Sequence, residues 1–428
     1  MSTFLLLTFV LCFFAVSIQF LPQSFWGWIE SRLPVGAFLY EHLARYPAPI
    51  NLNYWYVFGA LSLVALVLQY LSGIWLVMYY TPTADEAFAS VAHIMRDVPY
   101  GWLIRYVHVV GASAWFVVIY LHIFRALIYG SFKSPRELLW ISGVVLWILL
   151  MAEAYTGYVL PWGQMSYWAS KVIISLLSTV PYVGGDLVVW LQGDYEVTTV
   201  TLHRFFAFHV VGFSFILLGM AFLHIVLLHC VGSNNPDGVD ILKVKDKHGW
   251  PRDAVGYYPY FVLKYLPIVA LYLFLCMAVV FYAPTFYGLV LEADNFTEAN
   301  PLVTPLHIKP AWYLSAFYAI LRAIPDKSLG AAGMFLAIVV WFFLPWLDRN
   351  PVKSMRYRGW LGRINLALVV VAFLVLSVLG HFPADGWRLF SARVATVVYF
   401  SYFIFLPIVS SLERNYRVPT RIPRQSLA

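Results

Sequence analysis

Apolar residues in this chain run in blocks far longer than a strand or the apolar stripe of a soluble helix. Eight blocks of 15 to 27 residues recur, and a helix built on each, the shortest with its flanking residues, can cross a hydrocarbon core of ~30 Å. They lie at residues 54–80, 106–129, 138–160, 205–228, 265–282, 329–346, 366–380 and 394–412. Lipid offers no partner for free backbone groups, and a helix satisfies them within its own backbone. The pattern predicts an all-α integral membrane bundle of eight transmembrane helices. Two further stretches precede them. Residues 4–20 are apolar but no Lys or Arg comes first, which argues against a secretory signal and for an extra hydrophobic segment against the bundle. Residues 25–45 mix aromatics with charges and predict an interfacial helix.

Composition agrees: 61% of the chain is hydrophobic, 11% is charged, and mean hydropathy is +0.75. Charge adds an orientation. With every charge assigned to its nearest side, the side of the N-terminal segment, the loops after the second, fourth and sixth blocks and the tail takes 19 of the 28 Lys+Arg but only 9 of the 21 Asp+Glu. Arg349, Lys353, Arg356, Arg358 and Arg363 in one loop, and Arg414, Arg417, Arg421 and Arg424 in the tail, dominate that excess. The positive-inside rule makes this side, with both termini, cytoplasmic. The net charge of +7 is therefore a topology signal, with no nucleic-acid partner implied. Cys12, Cys230 and Cys276 have no metal-binding spacing and imply no disulfide framework.

Four histidines change the picture. His108 and His122 share the second block, 14 residues apart, and His209 and His224 share the fourth, 15 apart. On a helix these spacings are ~21–22 Å, with the imidazoles about 40° short of, or about 60° past, a whole number of turns. Two such helices side by side can clamp two stacked metal centres, one toward each face. Bis-imidazole ligation fills both axial positions of a haem iron, which suits electron transfer and leaves no open site. A single histidine on an apolar helix is more often a satisfied core residue. That reading must be repeated four times at matched spacing here, but it stands for His42, His93, His203, His248, His307 and His381.

Gly59 and Gly73 in the first block and Gly143 and Gly157 in the third are also 14 apart. Glycine permits close approach, and the expectation is that a flat macrocycle fills the space beside them. Arg105 and Arg125 each lie three residues from a histidine of the second block. Intramembrane arginines need anionic partners, and haem propionates qualify. Arg204 either serves likewise or snorkels.

The stretch Arg105-Tyr-Val-His108-Val-Val-Gly111-Ala-Ser with His122-Ile-Phe-Arg125 resembles the second helix of cytochrome b from quinol–cytochrome c reductases (respiratory complex III). So do Gly157-Tyr-Val-Leu-Pro-Trp-Gly-Gln-Met165, Arg204-Phe-Phe-Ala-Phe-His209 and Gly232-Ser-Asn-Asn-Pro236. The resemblance runs from about Trp26 to the tail, and the undivided chain favours the respiratory over the plastid type. It implies an N-terminal segment at 1–50, a dihaem four-helix domain at 51–235 and a C-terminal membrane domain at 236–428. It also implies two non-covalent b haems. His108 and His209 would hold the outer, low-potential one, and His122 and His224 the inner, high-potential one. Ubiquinol is the expected substrate at the outer face and ubiquinone at the inner. A Rieske-type iron–sulfur subunit, a cytochrome c-type subunit and a homodimeric complex are the expected partners. The chain itself has no iron–sulfur motif and no C-x-x-C-H for covalent haem.

By resemblance, Tyr158, Met165, a short helix after Trp168 and Pro310-Ala311-Trp312-Tyr313 line the outer quinol pocket. His229, Ser233 and Lys264 line the inner one, where imidazole, hydroxyl and ammonium can bond quinone oxygens and pass protons. The sequence departs from the family at three points. Ala311 replaces a glutamate, Ala169 stands where glycine is common, and Tyr265 replaces an aspartate. Glu153, an acid within the third block and four residues before Gly157, is expected to take over as outer proton acceptor. Two other classes use similar parts. A solute transporter would show repeats or broken helices and no paired histidines. A dihaem anchor subunit shares the histidines but has no use for Pro-Ala-Trp-Tyr.

Overall fold

In the computed structural model, residues 23–423 are described. The expected extra segment at 4–20 lies outside them. Among the described residues, eight helices are long and apolar enough to cross a membrane. They are α1 (Tyr54–Val77), α2 (Gly101–Tyr129), α3 (Glu137–Val159), α4 (Thr199–Val231), α5 (Tyr260–Tyr282), α6 (Lys327–Leu347), α7 (Trp360–Leu379) and α8 (Gly386–Leu412). The expected count holds, while the ends move. α2, α4, α5, α7 and α8 begin five to eight residues before their apolar blocks, because a helix continues into the interfacial region until something caps it. At α4 the cap is Thr198, whose side chain accepts from Val200 N–H, with the Thr201 hydroxyl accepting from Thr198 N–H. At α6 it is Asp326, whose carboxylate accepts from Leu329 N–H at 2.8 Å.

The expected interfacial helix over 25–45 is two pieces. Gln23–Glu30 ends before Pro34, and Val35–Leu39 runs on into a π turn at Tyr40–Ala44. The Glu30 carboxylate caps the second piece, accepting from Gly36 and Ala37 N–H, each at 2.9 Å. Short helices at Ala87–Arg96, Gln164–Leu176, Gly184–Gln192 and Ser315–Ala323 join the spans. They fall short of a membrane crossing, so block length did not predict most of them.

Loops assigned by charge to one side are joined to one another. β1 (Pro47–Pro49) pairs antiparallel with β2 (Ala254–Gly256). Asp237 accepts from Asn51 Nδ2 at 2.7 Å and pairs with Arg356 at 3.1 Å, and Arg421 pairs with Asp253 at 2.7 Å. Arg358 was counted as a topology charge, yet its side chain is fully buried between Asp348 (2.6 Å) and Glu413 (2.5 Å), with Lys133 2.8 Å from Asp348. Removing one member of such a buried network leaves an uncompensated charge. The network therefore fixes how the α2–α3 loop, the α6–α7 loop and the end of α8 meet. The opposite ends of the helices are called outer below.

α1 packs along α2, α3 along α4, and α7 along α8. One apolar core runs through both halves of the bundle. Phe116 on α2 and Trp147 on α3 share it with Phe317, Leu376 and Tyr399.

Candidate functional site

The two histidine helices differ in backbone. α2 is regular, but α4 opens into a π turn at Phe208–Gly212 that contains His209. A π turn absorbs one extra residue. Fifteen residues on α4 therefore cover about the rotation of fourteen on α2, and the two histidine pairs come into register.

At the outer end, the rings of His108 and His209 face each other with centroids 6.2 Å apart and planes 84° apart. Two metal–imidazole bonds of about 2 Å in line, plus the half-widths of two rings, fill that separation. At the inner end, His122 and His224 line one cavity, whose walls include Gly143, Trp140, Trp147 and Trp341. Among the described residues no three His, Cys, Asp or Glu gather to hold a metal ion. An ion held by two imidazoles must therefore bring its remaining ligands with it, as a haem does.

The glycines pair with the histidines one to one. A Cβ on Gly73 would meet His108 Cε1 at 3.4 Å, and one on Gly59 would meet His122 Cε1 at 3.4 Å. On Gly143 it would meet His224 Cε1 at 3.2 Å, and on Gly157 His209 Cε1 at 2.4 Å. The gap at each glycine is filled by an imidazole of the neighbouring helix.

Partners on Nδ1 set the tautomers. Ser72 Oγ donates to Leu68 O and so accepts from His108 Nδ1 at 2.9 Å; Ser142 Oγ donates to Leu139 O and accepts from His224 Nδ1 at 2.8 Å. His209 Nδ1–H donates to Glu153 O at 2.9 Å. Holding the proton on Nδ1 leaves Nε2 with a free lone pair, the arrangement of metal-ligating histidines. His122 differs, with Arg125 Nη2 3.3 Å from its Nδ1. Arg125 Nε is buried without a partner, and Arg105 is only 7% exposed. Among the described residues neither joins an ion pair within 4.0 Å. Buried guanidiniums lacking an anion fit the propionates of a haem. Arg204 lies beside Gly193, where an added Cβ would sit 2.8 Å from the guanidinium carbon, in the outer approach to α4.

The Glu153 carboxyl points toward His209: Oε1 lies 3.2 Å from its Nδ1 and accepts from Ser214 Oγ at 2.8 Å. Tyr158, one turn further along α3, donates its hydroxyl to Glu292 instead. Glu292 lies in the α5–α6 loop, a segment not singled out from the sequence. That loop is tied to the turn after α3. Gln164 N–H donates to Thr297 O (2.9 Å), Ser166 N–H to Asn295 Oδ1 (2.8 Å) and Ala299 N–H to Trp162 O (3.1 Å). The short outer helix begins at Gln164, ahead of Trp168, with Met165 and Ala169 buried on it. Pro310 and Ala311 lead into a turn at Trp312–Leu314. Trp312 Nε1 donates to Ser113 Oγ (2.6 Å), and the Tyr313 ring stacks on Phe116 at 3.8 Å and 1°. The motif is thus bolted to α2.

On the opposite side, His229 and Ser233 meet Tyr46, a residue the sequence reading passed over. Tyr46 shares a 2.9 Å hydrogen bond with Ser233 Oγ, its ring lies 4.6 Å from that of His229, and His229 Nε2 donates to His42 O at 3.2 Å. His42 and Tyr46 belong to the N-terminal segment, which thereby becomes one wall. Lys264 stands apart from this group, donating to Leu52 O at 2.9 Å over the rings of Tyr54, Tyr260 and Phe261. Tyr265 is buried in the apolar cluster around Leu52, Val57 and Phe261, with its hydroxyl 3.3 Å from Asn53 O. It is a core residue and leaves the place of the family's aspartate without an acid.

Residues 43–232 match the family described as cytochrome b/b6/petB, and residues 298–400 match cytochrome b(C-terminal)/b6/petD. The chain is 49% identical over 404 residues to cytochrome b of Allochromatium vinosum, covering 92% of this chain and 97% of that one. It is 45% identical over 393 residues to cytochrome b of Rickettsia prowazekii, covering 92% and 96%. This chain belongs to the cytochrome b family. A solved hyperthermophilic respiratory complex III contains a chain that superposes with a TM-score of 0.84 at 34% identity, covering 90% of this chain and 98% of that one. The protein is thus a cytochrome b of the respiratory complex III type, and the transporter and anchor-subunit alternatives fall away. Haem and quinone binding follow from the family. For a cytochrome b, the features that sequence reasoning missed are contacts across helices: Ser72 and Ser142 behind the ligands, the π turn, Tyr46 and Glu292. The serines sit one residue before Gly73 and Gly143, a signal that could have found them.

Proposed function

We propose that this cytochrome b oxidises quinol in the outer pocket and reduces quinone in the inner one, as the membrane subunit of a proton-translocating quinol–cytochrome c reductase. The observation that carries this reading is the set of four helices in which two histidine pairs, each ring seated on its own glycine, lie in register about 21 Å apart along α2. When bound, two b haems supply one-electron transfer between the two pockets. The chain's part is to hold and orient. Nδ1 partners fix three of the four imidazoles, Arg105 and Arg125 offer charge to propionates, and Trp312 and Tyr313 lock the outer motif onto α2. Tyr158, Pro310, Trp312 and Tyr313 form the quinol side with Met165 and Ala169. His229 and Ser233, with Tyr46, form the quinone side, and Lys264 serves it from α5, apart from that group. The electron acceptors are a Rieske-type iron–sulfur subunit and a cytochrome c-type subunit in a dimeric complex. The loop charges support cytoplasmic termini, and the likeness to bacterial cytochromes b supports a bacterial inner-membrane location.

The purified complex should show two low-spin b-type signals in a reduced-minus-oxidised spectrum. Quinol should reduce one or both, and an outer-site quinol analogue should alter that reduction. One b signal per chain, or reduction indifferent to such analogues, would refute the reading.

In this reading Glu153 is a positioning residue for His209. A carboxyl oxygen beside Nδ1–H makes the imidazole a stronger electron donor. Glu153→Gln should therefore raise the midpoint potential of the outer haem and leave the inner one unchanged. An unchanged potential with an altered pH profile of quinol oxidation would return Glu153 to the proton-acceptor role expected from its sequence position.

A further inference from the structure

Ala311 leaves the outer pocket without the carboxyl that the Pro-Glu-Trp-Tyr motif would supply, and its methyl group packs into the apolar core. We propose that Glu292, a residue outside that motif, is the proton acceptor of the outer quinol pocket in this chain. The proposal rests on the reading of that pocket given above.

Its position is the first support. Glu292 is 5% exposed, and the Tyr158 hydroxyl donates to its Oε2. The two are 134 residues apart in sequence, so only the fold brings them together. Glu292 precedes a turn at Ala293–Phe296, whose Asn295 side chain is bonded to Ser166 N–H. The carboxyl is thereby delivered from the α5–α6 loop into the space behind Tyr158. Tyr313 is close enough to feel its charge. It is thus bonded to α3 through Tyr158, and its charge reaches Tyr313 of the Trp312–Leu314 turn.

Its electrostatic surroundings are the second. Tyr158 faces it from α3, Tyr313 from the motif turn, Lys309 from the strand of chain before Pro310 and Asp294 from its own turn. Among the described residues no cation lies within 4.0 Å of its carboxyl. A carboxylate locked to an arginine would be a poor base, and this one is free to change charge. Burial pushes the carboxyl up to about 7, against the lowering effects of the Tyr158 hydrogen bond and the Lys309 charge. Such a group both takes and releases a proton near neutral pH. Lys309 in turn donates to His381 Nε2 at 2.9 Å, and His307 Nε2 donates to His381 O at 3.3 Å, so polar groups continue beyond the pocket on the outer side.

The step balances. Oxidation of a quinol releases two electrons and two hydroxyl protons. The two electrons would be taken by the one-electron acceptors of the complex proposed above, an iron–sulfur centre of another subunit and the outer b haem. As one quinol O–H bond breaks, the Glu292 carboxylate forms an O–H bond with that proton and later yields it to outer water. The second hydroxyl proton passes to pocket water, so both protons and both electrons are accounted for.

The test uses the intact complex. Glu292→Gln should slow quinol-driven haem reduction about tenfold at neutral pH, below the ~10²–10⁴ of a typical general base because pocket water can substitute. Wild-type rate should rise with pH through about 7 as the carboxyl ionises, and the variant should lose that limb. Glu292→Asp should retain it. Glu292→Gln/Ala311→Glu should recover part of the rate by restoring a carboxyl at the motif. Both haem spectra should stay intact throughout. Infrared difference spectra of the wild type should show a protonated-carboxyl band that shifts in D2O and responds to an outer-site quinol analogue. A Glu292→Gln complex with wild-type rate and pH profile would overturn the proposal. So would a uniform loss with the limb preserved, which marks a structural role, or a wild type without the infrared band. Failure of the wild-type complex to reduce its haems with quinol would instead reject the function itself.

Discussion

Replacing His209 or His108 with leucine should remove the outer haem and keep the inner one, and His122→Leu or His224→Leu should do the reverse. The pairing follows from the fold. The rings of His108 and His209 face each other at 6.2 Å, while His122 and His224 line a separate cavity. Leucine fills about the same volume as imidazole, so the bundle is retained while one axial bond is lost. Haem content should fall from about two per chain to about one, read by alkaline pyridine spectra, with the missing signal differing between the two pairs. Two low-spin haems in any of the four variants would remove that residue from the ligand set. Loss of both haems in all four would show only that assembly had failed, so haem content must be read alongside folded yield. A His224→Met variant, which restores an axial ligand of a different kind, should recover a six-coordinate inner site with a shifted potential.

The transmembrane helices were legible because lipid imposes a single rule, a helix long enough to cross, and the sequence meets it eight times. Their ends were not legible. Thr198 and Asp326 cap α4 and α6, and capping is a local hydrogen-bonding matter that block length does not carry. The short helices at Ala87–Arg96 and Ser315–Ala323 lie outside the long apolar blocks for the same reason. The histidine and glycine spacings reached further, since a repeat of 14 on one helix can be matched with a repeat of 14 on another without coordinates. What lay between them was invisible. The glycines face imidazoles, and the fifteenth residue on α4 is absorbed by the π turn at His209, which neither spacing nor composition reveals. Glu292 shows the limit most clearly. Its loop has no periodicity, and its link to Tyr158 exists only after the α5–α6 loop has been tied across the turn at Gly163. Glu153, by contrast, drew attention because an acid in an apolar block is conspicuous. One of its carboxyl oxygens lies beside His209 and Ser214, and the other is buried without a partner.

The four glycines should not tolerate alanine equally. A methyl group at Gly157 would lie 2.4 Å from His209 Cε1, 2.8 Å from Nδ1 and 3.0 Å from Nε2, so either the ring or the α3 backbone must move. The ring cannot swing away without leaving its Nδ1 bond to Glu153 O. Gly143 is tight at 3.2 Å from His224, whereas Gly59 and Gly73, each at 3.4 Å, leave ordinary contact distance. Overpacking of this kind costs ~1–3 kcal/mol, which at about 1.4 kcal/mol per decade is roughly a 5- to 150-fold loss of haem affinity. Gly157→Ala is therefore expected to deplete the outer haem at the upper end of that range. Gly73→Ala, which borders the same outer pair from the other helix, should keep it. That contrast separates a steric effect on one ligand from a general loosening of the outer site. Measuring haem retention against a competing apoprotein across all four variants gives the order Gly157 first, Gly143 second, and Gly59 and Gly73 last and alike. Equal losses at all four, or a Gly73→Ala variant worse than Gly157→Ala, would mean that the rings and glycines are not in contact as described.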